Sequence, residues 1–324
     1  MATVYAMTTL TPLPPLADDL EFLKIVSQWD MDAPYQQWSG ATLVPATFRP
    51  AQTPRTFVVT NNKGGVGKTT TAVELAAAWA AMGLRVRLID ADPQNAAISY
   101  WLGVIYPDGL PVEQRYNLRH VFLGTEPDPK NPDAPTREVT LDEATYPTAF
   151  ENLYVVPCGA DLARVEYERA GGTDNALRYA ITESEMSFDV TVIDASRTMS
   201  LVTLACLIAG DEAIIPVKPG ALDAQGVLSI GDTIAKIQKR ENRSLRVAAV
   251  LTTMWERSNL AREVEEDAAA KYPDAIVSPI RKTTQVGEAP ATHRPTRVHA
   301  PRATAVADYG QVARLLLAPK GAAE

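Results

Sequence analysis

Residues 57–60, Phe57-Val58-Val59-Thr60, form a β-branched apolar run without polar alternation, the pattern of a buried strand. Runs of the same kind recur at 86–90, 153–157, 188–194, 212–217, 246–251 and 275–279. Helical patterns separate them, at 71–80 (closed by Gly83), 161–168, 176–187, 201–208, 222–238 and 305–317. Lys236, Lys239 and Arg240 suit the C-terminal end of the 222–238 helix. Alternating strands and helices predict an α/β fold, a mostly parallel twisted sheet with helices on both faces.

Two stretches break the alternation. Residues 1–54 hold 7 of the 24 prolines and carry 2 basic against 5 acidic residues, so they read as a short N-terminal extension and not as a folded DNA-binding domain. One helix is expected there, capped by Asp18-Asp19 and running to Trp29. The extension is expected to pack as an arm on the α/β domain of residues 55–324, or else to bind a partner or link a dimer. Residues 104–150 are the other break. Pro127, Pro129, Pro132 and Pro135 mark a surface loop.

Composition adds limits. The 324 residues are 46% hydrophobic, ample for one large core, and carry a net charge of −8. Any nucleic-acid contact must therefore come from a local basic patch. Cys158 and Cys206 lie far apart in apolar settings and read as buried thiols of a reducing compartment. The longest uncharged apolar run, 201–210, is short of the roughly 20 residues a membrane helix needs, and no signal-peptide pattern opens the chain. A cytoplasmic protein is expected.

The chemistry concentrates at 61–71, NNKGGVGKTTT, between the first strand and the first helix. Gly64, Gly65 and Gly67 let backbone N–H groups approach a polyphosphate, and the helix N-terminus adds its own donors and partial positive charge. Lys68 reaches the β- and γ-phosphates, and the Thr69 hydroxyl suits Mg²⁺. The phosphate cradle is thus Gly64, Gly65, Val66, Gly67, Lys68, Thr69 and Thr70, in a P-loop NTPase fold with Mg²⁺ beside the phosphates. An ordinary P-loop has glycine where this chain has Asn62, and here Lys63 precedes the glycine pair.

This form, KGGVGKTT, resembles the deviant Walker A loop of the ParA/MinD ATPases, and most of all ParA. The resemblance runs over about residues 55–318. It implies an ATPase in which Lys63 reaches the partner's phosphates across an ATP-dependent homodimer. Leu88-Ile89-Asp90-Ala91-Asp92-Pro93-Gln94 resembles the family's DxDPQ element. By that resemblance Asp92 orients or activates the attacking water and Asp90 supports the Mg²⁺ shell. The plainer reading of Asp92 is an N-cap, with Pro93 in the first turn of a helix. Asp194 ends an apolar strand as a Walker B aspartate does, and reads as a metal ligand through water. The family usually follows it with small residues and proline. This chain has Ala195-Ser196-Arg197, which puts Arg197 near a γ-phosphate. The alternative is a surface arginine paired with a carboxylate.

Further on, 252–260 resembles a family segment near the adenine, which implicates Thr253 and Met254. Arg257 matches its DNA-contacting arginine if one residue is skipped. Residues 276–302 hold five Lys/Arg against one acid, and Glu288-Ala289-Pro290 matches the family's EAP element, with Gln285 where relatives have arginine. The DNA-contacting candidates are Arg257, Arg281, Lys282, Arg294 and Arg297. The resemblance implies sequence-indifferent binding to nucleoid DNA, hydrolysis stimulated by a ParB-type partner, and movement of a plasmid or chromosome origin, with no membrane role. Two alternatives stay open. A MinD-like membrane ATPase needs a basic amphipathic C-terminal helix, and the tail here is broken by Pro319. A nucleotide-stabilised scaffold would hardly hydrolyse ATP.

Overall fold

The computed structural model describes residues 54–94, 97–125, 136–168, 172–220 and 224–318, with side chains from 230 onward in the last segment. The expected helix at 18–29, the rest of the extension through 53, and the tail beyond 318 lie outside the described residues.

The first half runs β1 (Arg55–Val59), α1 (Lys68–Ala81), β2 (Val86–Ala91), α2 (Ile98–Leu102), α3 (Leu118–Leu123), β3 (Tyr146–Pro147), β4 (Leu153–Val156), α4 (Thr173–Thr182) and β5 (Val190–Ala195). The second half runs α5 (Leu201–Ala209), β6 (Glu212–Val217), α6 (Ala224–Arg240), β7 (Arg246–Trp255), α7 (Asn259–Lys271), β8 (Ile276–Arg281), α8 (Thr284–Glu288), α9 (Thr296–His299) and α10 (Thr304–Leu317). The eight strands form one sheet in the order β3-β4-β2-β5-β1-β6-β7-β8. All neighbours are parallel except β3 against β4.

The unbroken apolar strands follow from burial on both faces. In β1, Phe57 and Val59 join the core under α1 and α10, and Val58 joins the core under α5, α6 and α7. Helix α1 is buried almost all round, from Thr71 to Ala80. Its alanines let it sit between the sheet and α10. Trp79 stacks on Phe57 at 4.8 Å, and its indole N–H donates to the Ala313 carbonyl at 2.9 Å. Its one polar atom is thereby satisfied.

Several expected boundaries shift. The 161–168 helix is a 3₁₀ segment, Ala160–Glu166. The 176–187 helix starts earlier and ends at Thr182. The last strand extends to Arg281, and β7 extends through Trp255. Thr252 to Trp255, expected in a loop, are thus strand. The loop expected over 104–150 contains α3, whose N-terminus is closed by a reciprocal Asn117–His120 capping box, and the edge strand β3. Asp92 caps no helix. Its carboxylate closes a turn by accepting from the Gln94 N–H at 3.1 Å, while the Ile98 N–H at the start of α2 donates to Asp90 at 3.3 Å.

Candidate nucleotide site

The order of the sheet builds the site. Ligands of open α/β sheets bind beyond the carboxyl ends of the strands, where neighbouring connections leave in opposite directions. Strand β1 lies between β5 and β6, and the glycine loop leaves its carboxyl end. In register, Val59 pairs with Asp194 on one side, and Asp194 pairs with Asp90 on the other. Adjacent strands lie about 4.8 Å apart, so the two acids are drawn beside the loop by the sheet itself.

The loop is pinned at its start and free to turn afterwards. Asn61 donates to the Pro216 carbonyl at 2.8 Å and accepts from the Lys63 N–H at 3.0 Å. Gly65 and Gly67 take φ values of 72° and 82°. A β-carbon is strained in that region, so both positions favour glycine. No side chain caps α1 at Gly67, which leaves its first N–H groups to an anion. Thr253 braces the loop from β7, its hydroxyl donating to the Val66 carbonyl at 2.8 Å. Met254 beside it is exposed at φ 50°. Thr69 and Thr70 lie in the first turn of α1.

Lys68 curls back over the loop, Nζ donating to the Lys63 carbonyl at 3.1 Å. Burial lowers its pKa, opposed by the charges of Asp194 and Asp92. Asp194 is buried. Burial pushes its carboxyl well up, Asp90 adds to this, and the Thr69 hydroxyl and Lys68 oppose it. Its Oδ1 has no hydrogen-bond partner among the described residues. An orphaned buried carboxylate oxygen beside a hydroxyl fits a hard divalent cation such as Mg²⁺, which needs only one or two carboxylates when phosphates supply the rest. No group of three His, Cys, Asp or Glu able to hold a metal occurs among the described residues.

Asp90 is differently employed. Oδ1 accepts from the Asp92 N–H at 3.2 Å, and Oδ2 from Ile98. Burial lifts its pKa to about 7 despite these bonds. Its oxygens organise the turn after β2. Asp92 Oδ1 accepts from Gln94 and also from the Ser196 hydroxyl at 3.2 Å, which ties the turn after β2 to the turn after β5. The sequence places Gln94 and Ser196 in their motifs but joins neither to the Asp92 carboxylate, because no spacing rule does. Arg197 is exposed and pairs with no carboxylate among the described residues. Its Nε donates to Gln94 Oε1 at 3.0 Å.

The DNA candidates differ in exposure and in their partners. Arg257, Lys282 and Arg294 are exposed. The Arg281 guanidinium is instead bound to Asp308 of α10 at 2.6 to 3.1 Å, and the Arg281 N–H donates to the same carboxylate. Lys282 faces Glu256 at 3.3 Å, and Arg297 donates to the Ala77 carbonyl at 2.8 Å. The excess of charge along 276–302 omits Asp308 and Glu256, which fold against it. Both cysteines are thiols, Cys206 buried and Cys158 partly so.

Comparison with known proteins agrees with this geometry. An AAA domain family model matches residues 54–247. The chain is 30% identical to the sporulation initiation inhibitor protein Soj of Bacillus subtilis, over 80% of this chain and 96% of that one. It is 30% identical to the chromosome-partitioning ATPase Soj of Thermus thermophilus, over 82% and 96%. A Mycobacterium smegmatis crystal structure, described as cobyrinic acid a,c-diamide synthase with bound ATP analog and magnesium, superposes with a TM-score of 0.62 at 29% identity, over 81% of this chain and 93% of that one. With a deviant glycine loop on a central parallel strand, a strand-terminal aspartate beside it and relatives matched over most of their length, the chain belongs to the ParA family of P-loop ATPases.

Proposed function

We propose that this chain hydrolyses ATP with Mg²⁺ as a two-state partitioning device. Backbone N–H groups of 64–70 and Lys68 hold the phosphates. Thr69 and Asp194 hold the cation, with Asp90 fixing the neighbouring turn. Bound MgATP supplies the transferable phosphoryl group and the charge that holds the loop. Asp92 keeps Oδ1 on Gln94 and Ser196, which leaves Oδ2 to orient a water and take its proton. Catalysis of this kind is mostly positioning and charge neutralisation. The observation that carries the reading is the orphaned Asp194 oxygen beside Lys68 and Thr69 at the end of the glycine loop.

The finer reading follows the family. Two chains close on two ATP molecules, and Lys63 of each reaches its partner's phosphates. The dimer binds nucleoid DNA without sequence preference, and a ParB-type partner triggers hydrolysis and release. The relatives' printed names, chromosome-partitioning ATPase among them, support a partitioning role. No helix among the described residues is long and apolar enough to cross a membrane.

Lys63 gives the test. A cation supplied in trans is worth about 10³–10⁵ in rate in related phosphoryl transfers. Light scattering with a non-hydrolysable ATP analogue should show wild type dimeric and Lys63→Ala monomeric, with nucleotide still bound. A Lys63→Ala protein that dimerises and turns over normally contradicts the cross-dimer role.

A further inference from the structure

Arg197 stands in an unusual electrostatic position. It follows Asp194 and Ser196 at the end of β5 and lies over the glycine loop. A β-carbon added at Gly64 would sit 3.1 Å from one of its terminal nitrogens. Its Nε is held by Gln94 at 3.0 Å, and no carboxylate among the described residues pairs with it. It is close enough to Lys68 for its charge to depress that ammonium's pKa.

Two cations converging on one glycine turn repel each other. Around a polyanion the same arrangement becomes favourable, and the guanidinium fork suits phosphate oxygens. The Arg197–Gln94 bond also joins this cation to the turn that carries Asp92.

We propose that Arg197 is a phosphate-reading residue supplied within the chain. It engages the terminal phosphate of a nucleoside triphosphate by exchanging Gln94 for a phosphate oxygen, which releases the Gln94 side chain in the triphosphate state only and leaves the backbone bond from Gln94 to Asp92 in place. The inference rests on ATP binding at this loop and is independent of the DNA cycle. A charge-assisted hydrogen bond at an exposed position corresponds to about a tenfold effect on affinity.

Calorimetry of the full chain with a non-hydrolysable ATP analogue and with ADP, both with Mg²⁺, tests it. Arg197→Ala should weaken the triphosphate about tenfold and ADP by less than about threefold. Arg197→Lys should recover part of the loss. Gln94→Ala removes the competing partner and should leave triphosphate affinity unchanged or tighter. If Arg197 merely pins the turn, Gln94→Ala will reproduce the Arg197→Ala loss, and the inference fails. Equal weakening of both nucleotides by Arg197→Ala, or no weakening, also overturns it. Wild type that binds neither nucleotide overturns the ATP-binding reading and this inference together. Wild type that binds both, with Arg197→Ala indistinguishable from it, overturns this inference alone.

Discussion

At the scale of single residues, Lys68 and Asp92 divide binding from chemistry. Lys68 is buried against the loop, and its charge faces Asp194 and Asp92. Lys68→Ala should abolish ATP binding in a calorimetric titration, because the loop loses its buried cation and two acids lose their nearest counter-charge. Retained affinity would count against the phosphate cradle. Asp92→Ala should still bind ATP while turnover falls roughly a hundredfold or more, the usual contribution of a positioned base. Wild-type phosphate release in that variant would reduce Asp92 to the turn-closing role that its bond to Gln94 shows. The glycine loop was legible in the sequence because glycine, lysine and threonine at these spacings have few other reasons to occur together. Ser196 was not, since its bond to Asp92 spans two strands distant in the chain.

At the scale of elements, α1 couples the site to the far end of the domain. Glu74, buried in α1, accepts from the Thr296 N–H at 2.7 Å and so caps α9 from outside. Burial raises its pKa above 4.5, and the bonds to Thr296 only partly oppose this. Above pH 4.5 the unfolded chain releases the proton while the folded one keeps it, so this residue costs stability as pH rises. Glu74→Gln keeps an acceptor for Thr296 and removes the titration. Its Tm should exceed that of wild type at neutral pH, by roughly 2–4 °C per kcal/mol for a domain approaching this size, and the gap should close at acidic pH. A pH-independent gap would exclude the linkage. Helix α1 was readable from its alanine-rich run of helix formers and from Gly83. Helix α3 was hidden because Asn117 and His120 cap it without an apolar run long enough to notice. Strands β7 and β8 continued past their expected ends at Leu251 and Pro279, since strand pairing decides those ends and local preference does not.

At the scale of the whole molecule, charge is the deciding quantity. The chain is acidic, at −8, so a single copy should bind duplex DNA weakly. The sequence showed a basic stretch at 276–302, but folding pairs Arg281 with Asp308 and brings Lys282 against Glu256. Arg257 and Arg294 are left with Lys282 as the exposed candidates. In the proposed cycle an ATP-assembled dimer doubles these few phosphate contacts. Each phosphate neutralised steepens log K against log salt by about 0.9. Equilibrium binding of the full chain to random-sequence duplex, with ATP analogue or ADP and across a salt series, tests this most directly. The account predicts binding with the ATP analogue alone, indifferent to sequence and falling steeply with salt. Equal binding with either nucleotide, or none with the analogue at the lowest salt, would contradict it.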